Sequence, residues 1–281
     1  MGTDATQITG LAAGVPFVAV PPITGPSTTT PIVVAWHLMD APRTEAAFAA
    51  ALPLSGLDAW RIYLGLPMSG SRTPPGGDSE LMRLGYEDAV LNLQGPITDQ
   101  AAAEFGAAVA DLRGQLDLGD GPTGLVGGSI GAAVAQLVTA EGDLDIRAAV
   151  LVSPLVQLRP AVEAMARGYG VTYAWSEPSL EVARRLDFVA RADDIAQRGQ
   201  PAVLLVVGDE DDPDGVREPA QQLRESLASR YADPERAELV VIPGMGHSLA
   251  DEPGVEPAPQ TTHAAEVDGH AVQWLRRHLV R

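Results

Sequence analysis

A series of short apolar runs, at residues 15–20, 32–36, 148–152, 202–207 and 237–242, sets the frame of this chain. The runs 32–36 (Ile-Val-Val-Ala-Trp) and 202–207 (Ala-Val-Leu-Leu-Val-Val) carry no polar residue at alternate positions. Strands of that kind need cover on both faces, which is the situation of inner strands in a parallel sheet. Longer alanine-rich amphipathic stretches of helical period lie between them, at 42–52, 98–116, 130–140, 215–231 and 263–280, with Thr98 as an N-cap. Such alternation predicts an α/β fold, a mostly parallel central sheet flanked by helices. Further strands are predicted at 60–66 and 123–126, and the Ser-, Pro- and Gly-rich segment 68–78 reads as a loop. Residues 155–200 are polar and amphipathic, and read as a small helical, cap-like insertion. No internal repeat or linker divides the chain, so one domain over 1–281 is expected.

Composition removes several alternatives. No apolar run approaches the roughly 18–20 residues that a membrane-spanning helix needs. Residues 1–10 lack the basic start and apolar core of a secretion signal, so a cytoplasmic protein is expected. There is no cysteine, which excludes disulfides, thiolate metal sites and a cysteine nucleophile. The net charge is −18 and every strong cation is an arginine; such a surface repels nucleic acid and anionic membranes, and neither is an expected partner. No cofactor is expected: Gly124, Gly127 and Gly128 do not form Gly-x-Gly-x-x-Gly, and no Gly-Lys-Ser/Thr occurs. His263, Glu266 and His270 have helical spacing, but on a closing helix they read as solvated positions rather than a metal site.

The chemistry is concentrated in Gly127-Gly128-Ser129-Ile130-Gly131. This Gly-x-Ser-x-Gly pattern follows a buried strand run and opens a helix of small residues. It suits a sharp strand-to-helix turn that holds the serine in a strained backbone conformation and lifts its hydroxyl above the sheet edge. A serine hydroxyl needs a base to take its proton and an acid to orient that base. Of the histidines, His247 ends the turn Pro243-Gly244-Met245-Gly246 after the strand 237–242, on the edge where Ser129 is expected. Asp209-Glu210-Asp211-Asp212 follows the strand 202–207; Asp211 is the chosen acid and Asp212 the alternative.

These segments, in the order Ser129, Asp211, His247, resemble the α/β-hydrolase superfamily over nearly the whole chain, and within it small esterase- or dienelactone-hydrolase-like members. The resemblance implies a serine hydrolase that cleaves carboxylic esters through an acyl-enzyme. Peptidase, amidase, lactone-opening or acyl-transfer activity uses the same residues, and a non-catalytic binding protein is the rival from another class. The resemblance also implies that the Ile130 amide is one oxyanion donor. The second would come from Trp36-His37-Leu38-Met39-Asp40, where many members have His-Gly, and is open between Leu38 and Met39. His37 reads chiefly as a support for that loop. Trp36, His37, Trp60, Met68 and Trp175 are candidate substrate-binding residues. The expected partner is a small-molecule ester, with self-association into a homodimer left open.

Overall fold

The computed structural model describes residues 7–279. The first six residues of the segment read at 1–10, and the end of the predicted closing helix at Val280, lie outside the described residues. The strands are β1 (Ile8–Ala12), β2 (Val15–Val20), β3 (Ile32–Trp36), β4 (Trp60–Leu64), β5 (Thr123–Gly128), β6 (Ile146–Val152), β7 (Ala202–Gly208) and β8 (Ala237–Ile242). They form one sheet in the order β1-β2-β4-β3-β5-β6-β7-β8. β1 and β2 are antiparallel to their neighbours, and all pairs from β4 to β8 are parallel. The mostly parallel sheet predicted from the apolar runs is therefore present.

The sheet separates two cores. Ile32, Val34 and Trp36 of β3 face one, and Val33 and Ala35 face the other, as the period of a strand requires. The first core is covered by α3 (Gly95–Leu116), α4 (Ile130–Glu141) and α8 (Glu218–Ala228). The second is covered by α1 (Glu45–Ala51) and α9 (Thr262–Leu279). α9 is amphipathic: Ala264, Val267, Ala271, Trp274 and Leu275 recur at helical spacing and are all buried. Residues 155–200 carry three helices, α5 (Leu158–Gly168), α6 (Glu177–Arg185) and α7 (Ala192–Ala196). Among the described residues, no helix is long and apolar enough to cross a membrane.

The structure departs from the sequence reading at element ends. Helix α3 begins at Gly95, so Thr98 lies inside it; its hydroxyl donates to Gln94 O one turn back at 2.7 Å instead of capping. The helix predicted at 42–52 starts only after Thr44, whose Oγ1 accepts from the Ala47 amide at 3.1 Å. The predicted helix 215–231 is preceded by a wide turn at Pro213–Arg217, with Asp212 accepting from the amides of Asp214 and Gly215. Strand β1 and helix α2 (Gly77–Ala89) were not expected; the first two residues of α2 fall in the predicted loop.

One edge of the sheet collects the chemistry because the parallel register aligns the strand ends. Trp36 pairs with Gly127, Gly127 with Leu151, Val152 with Val206, and Gly208 with Ile242. The residues that follow these strands therefore leave the sheet side by side. On the far side of α3, Gly106 is exposed in mid-helix, and an added Cβ would meet nothing within 4 Å. Gly106→Ala is expected to raise the unfolding free energy by about 0.5–1 kcal/mol, read by urea denaturation.

Candidate active site

Ser129 occupies the turn between β5 and α4 with φ 49° and ψ −115°, a conformation that L-residues rarely adopt. Its surroundings hold it there. The Ser129 amide donates to Val152 O at 2.9 Å, and its carbonyl accepts from Ala132 and Leu155. The flanking glycines are required by close approach. A Cβ on Gly127 would lie 2.3 Å from Gly131 O, and one on Gly131 would lie 2.4 Å from Trp36 O. The strand and helix thus close on each other and on the end of β3, where any side chain would wedge them apart.

Three loops meet the serine. His247, on the loop after β8, has Nε2 2.9 Å from Ser129 Oγ and Nδ1 2.8 Å from Asp211 Oδ1. A carboxylate only accepts, so Nδ1–H donates to Asp211 and Nε2 is left to accept from the serine hydroxyl. Asp211 has a fully buried side chain, and its second oxygen accepts from the Gly208 amide at 2.9 Å and the Ser153 hydroxyl at 2.8 Å. Asp212 instead caps the following turn. The acid loop is stitched to the histidine loop. The amides of Asp209 and Glu210 donate to Ile242 O and Met245 O, and Asp209 Oδ1 accepts from the Gly244 amide at 2.6 Å. The rest of the acidic run thus ties the two loops together or faces solvent.

Burial works against ionising Asp211, yet the His247 hydrogen bond and charge, with the Gly208 and Ser153 donors, hold its carboxyl below the ordinary range. For His247, burial opposes protonation, but the Asp211 hydrogen bond and charge, joined by the charge of Asp40, outweigh it and raise the pKa above its ordinary value. Asp40 Oδ2 lies 3.7 Å from His247 Nε2.

Ser153 and Asp40 were not among the expected site residues. Ser153 follows β6, is completely buried, and has φ 39°. Its signal in the sequence is its place, directly after a strand on the functional edge. Asp40 ends the expected oxyanion loop, one residue beyond the candidate donors Leu38 and Met39, a lone acid with no motif around it.

The other expected residues are distributed as follows. Among the described residues, the amides of Ile130, Leu38 and Met39 have no hydrogen-bond partner within the chain. Leu38 is buried, and a Cβ on Gly128 would meet its Cδ1 at 2.4 Å, so its side chain props the β3 loop against the serine turn. Met39 and Met68 are half-buried against the first core. Trp175 is half-buried in the insertion, edge-on to Tyr173 at 4.7 Å, with Nε1–H donating to Glu163.

Three substrate-binding expectations need correction. Trp60 opens β4 and pairs with Ile32, at the amino edge of the sheet opposite Ser129. Trp36 is buried against Phe105, ring centroids 5.4 Å apart, as a core residue. His37 is fully buried and spends both ring nitrogens on backbone: Nδ1–H donates to Leu38 O at 2.6 Å and Nε2 accepts from the Leu66 amide at 3.1 Å. It supports the loop and has no face left for a substrate. A surface depression lined by Asp193, Gln197, Gln200 and Arg230 lies ahead of β7, at the amino edge and away from this chemistry. Among the described residues, no group of three histidines or carboxylates is placed to hold a metal, and this includes His263, Glu266 and His270.

No protein-family model and no curated relative matches the chain. Solved structures do. A puromycin-hydrolysing peptidase from Mycobacterium tuberculosis is 17% identical with a TM-score of 0.64, over 99% of this chain and 40% of that one. The esterase Pf2001 from Pyrococcus furiosus is 15% identical with a TM-score of 0.56, over 98% of this chain and 92% of that one. A dienelactone hydrolase from Anabaena variabilis is 16% identical with a TM-score of 0.56, over 98% of both chains. These likenesses give the chain the α/β-hydrolase fold. It spans well under half the length of the peptidase.

The buried His37 makes stability acid-sensitive. Desolvation lowers its pKa to about 4 against the gain from its bond to Leu38, with Arg43 adding a smaller push downward. The unfolded chain binds this proton near pH 6.5 and the folded chain does not. Stability therefore falls as pH drops below 6.5 and the loss levels off below about 4, a change of roughly 3 kcal/mol. Urea unfolding of His37→Gln at pH 7 and at pH 4.5 should show a pH loss smaller than wild type by most of that amount.

Proposed function

We propose that the protein is a serine hydrolase that cleaves small carboxylic esters through an acyl-enzyme. The observation that carries this reading is the unbroken hydrogen-bonded chain Ser129–His247–Asp211, at 2.9 and 2.8 Å, hung from a serine in a strained turn. In this reading His247 Nε2 takes the Ser129 proton as Oγ bonds the substrate carbonyl carbon. The resulting imidazolium is stabilised by Asp211, whose geometry is fixed by Ser153 and Gly208. The Ile130 amide and an amide of Leu38 or Met39, all unspent, are the donors for the tetrahedral oxyanion. His247 then gives the proton to the leaving alcohol. A water molecule repeats the sequence to release the acid and regenerate Ser129.

Ester rather than amide cleavage is favoured because the likeness extends over nearly the whole of the esterase and the dienelactone hydrolase, but less than half of the peptidase. Met39, Met68 and Trp175 are the remaining candidates for apolar walls of the substrate site.

A fluorophosphonate probe is expected to label the wild type and not Ser129→Ala; equal labelling of both, or of neither, would sink the nucleophile assignment. Aryl esters of graded acyl length should turn over while the matching anilides do not, and the reverse result would make the protein an amidase. The kcat/KM for a good ester should rise with pH through a midpoint above 6.5, because His247 works as a base only when neutral and its pKa is raised. Asp211→Asn should lower kcat by about 10³–10⁴-fold. Ser153→Ala, which leaves Asp211 two of its three donors, should cost about tenfold in kcat with little change in KM. Wild-type kcat in Ser153→Ala would remove Ser153 from the positioning chain.

A further inference from the structure

We propose that Asp40 makes the site select esters whose leaving alcohol carries a positive charge, an ammonium or quaternary nitrogen two or three carbons from the ester oxygen. The proposal rests on the acyl-transfer reading above and adds a substrate class to it.

The argument starts from the atom that Asp40 faces. His247 Nε2 is 2.9 Å from Ser129 Oγ and 3.7 Å from Asp40 Oδ2. In acyl transfer this nitrogen delivers the proton to the leaving oxygen, so the leaving group must stand next to it. Asp40 therefore borders the space that the leaving group occupies, rather than the far side of the imidazole where Asp211 sits.

Its charge is uncompensated. The Asp40 side chain is 55% exposed, and among the described residues no arginine pairs with it. Arg43, Arg72 and Arg167 are engaged with other carboxylates. Arg43 reaches Asp78, Arg72 makes a two-pronged bond to Glu104, and Arg167 pairs with Asp212 and Asp214. His247 lends Asp40 a positive charge only while it is protonated, and the form that works as a base is neutral. A net charge of −18 adds to the field rather than cancelling it.

The consequences for a leaving group follow by sign. An anionic alcohol would be pressed against a carboxylate, and a neutral one would gain nothing from it. A cationic one would meet the free carboxylate at a few ångströms, in a partly desolvated site where the attraction exceeds its value in water. The acid product, an anion, would be repelled after deacylation.

The test uses two methylphosphonothioates that differ only in the leaving thiol, thiocholine in one and its uncharged isostere 3,3-dimethylbutanethiol in the other. In each, Ser129 Oγ bonds phosphorus, the P–S bond breaks, and the serine proton leaves on the thiol through His247. The rate constant for inactivation is measured for wild type, Asp40→Asn and Asp40→Glu. Each value is divided by the reagent's rate with hydroxide to remove intrinsic reactivity. Both reagents need the same His247, so their ratio cancels any change in its basicity. The expected result is a preference of about tenfold for the cationic reagent in wild type, shrinking at high salt. That preference should fall to near one in Asp40→Asn and be largely kept in Asp40→Glu. Equal wild-type rates, or a preference that survives Asp40→Asn, would overturn the proposal while leaving the hydrolase reading intact. Failure of both reagents to modify Ser129 in wild type would instead remove the acyl-transfer reading, and this proposal with it.

Discussion

The constraint on which the site depends is the absence of side chains at Gly127 and Gly131. With only hydrogen there, the backbone of β5 runs against the first turn of α4, and that turn runs against the carbonyls of Trp36 and His37. Ser129 is caught in this contact, its amide and carbonyl both bonded, so its unfavourable φ and ψ are dictated by the packing around it. The same contact sets two other features of the site. It starts α4 directly after the serine, and it brings the loop carrying Leu38 against the serine turn.

Everything else the site uses arrives by register. Parallel pairing from β3 to β8 lines up the carboxyl ends of the strands, so His37, Ser129, Ser153, Asp209 to Asp211 and the Pro243 to His247 turn emerge along one edge. A one-residue slip in any pair would move a member of the chain by several ångströms and turn its side chain to the other face. The acid and histidine loops are also bonded to each other through Asp209, Glu210, Gly244 and Met245. Asp211 and His247 therefore keep their relation even if both loops shift against the serine.

The parts of this arrangement that follow general rules of sequence were legible. Apolar runs marked strands, and the bounds of Val15–Val20, Ile32–Trp36 and Ala237–Ile242 agree with them. Strand β1 gives no strand signal because Thr9-Gly10 interrupts its apolar residues, which form neither a continuous run nor an alternation. Trp60 was misplaced for a different reason: residue type reports burial, not which end of a strand a residue occupies. Trp36 and Trp60 look alike in sequence, yet they lie at opposite edges of the sheet. Ser153 and Asp40 act through position alone. A serine after a strand and an aspartate in a loop are common, and only the register shows which side chains they meet.

The two histidines on this edge show how far environment decides chemistry. His37 and His247 follow strands of the same sheet, and both have their ring nitrogens engaged. His37 meets only backbone and one distant arginine inside a fully buried site, and desolvation drives its pKa down to about 4. It is fixed as a neutral strut. His247 is about one-third exposed and flanked by two carboxylates, one on each side of the ring, which raise its pKa despite burial. The imidazolium that acyl transfer requires is therefore unfavourable at His37 and favourable at His247. Asp40 adds a second negative charge on the side open to substrate, where it stabilises the imidazolium and also acts on whatever group stands beside it.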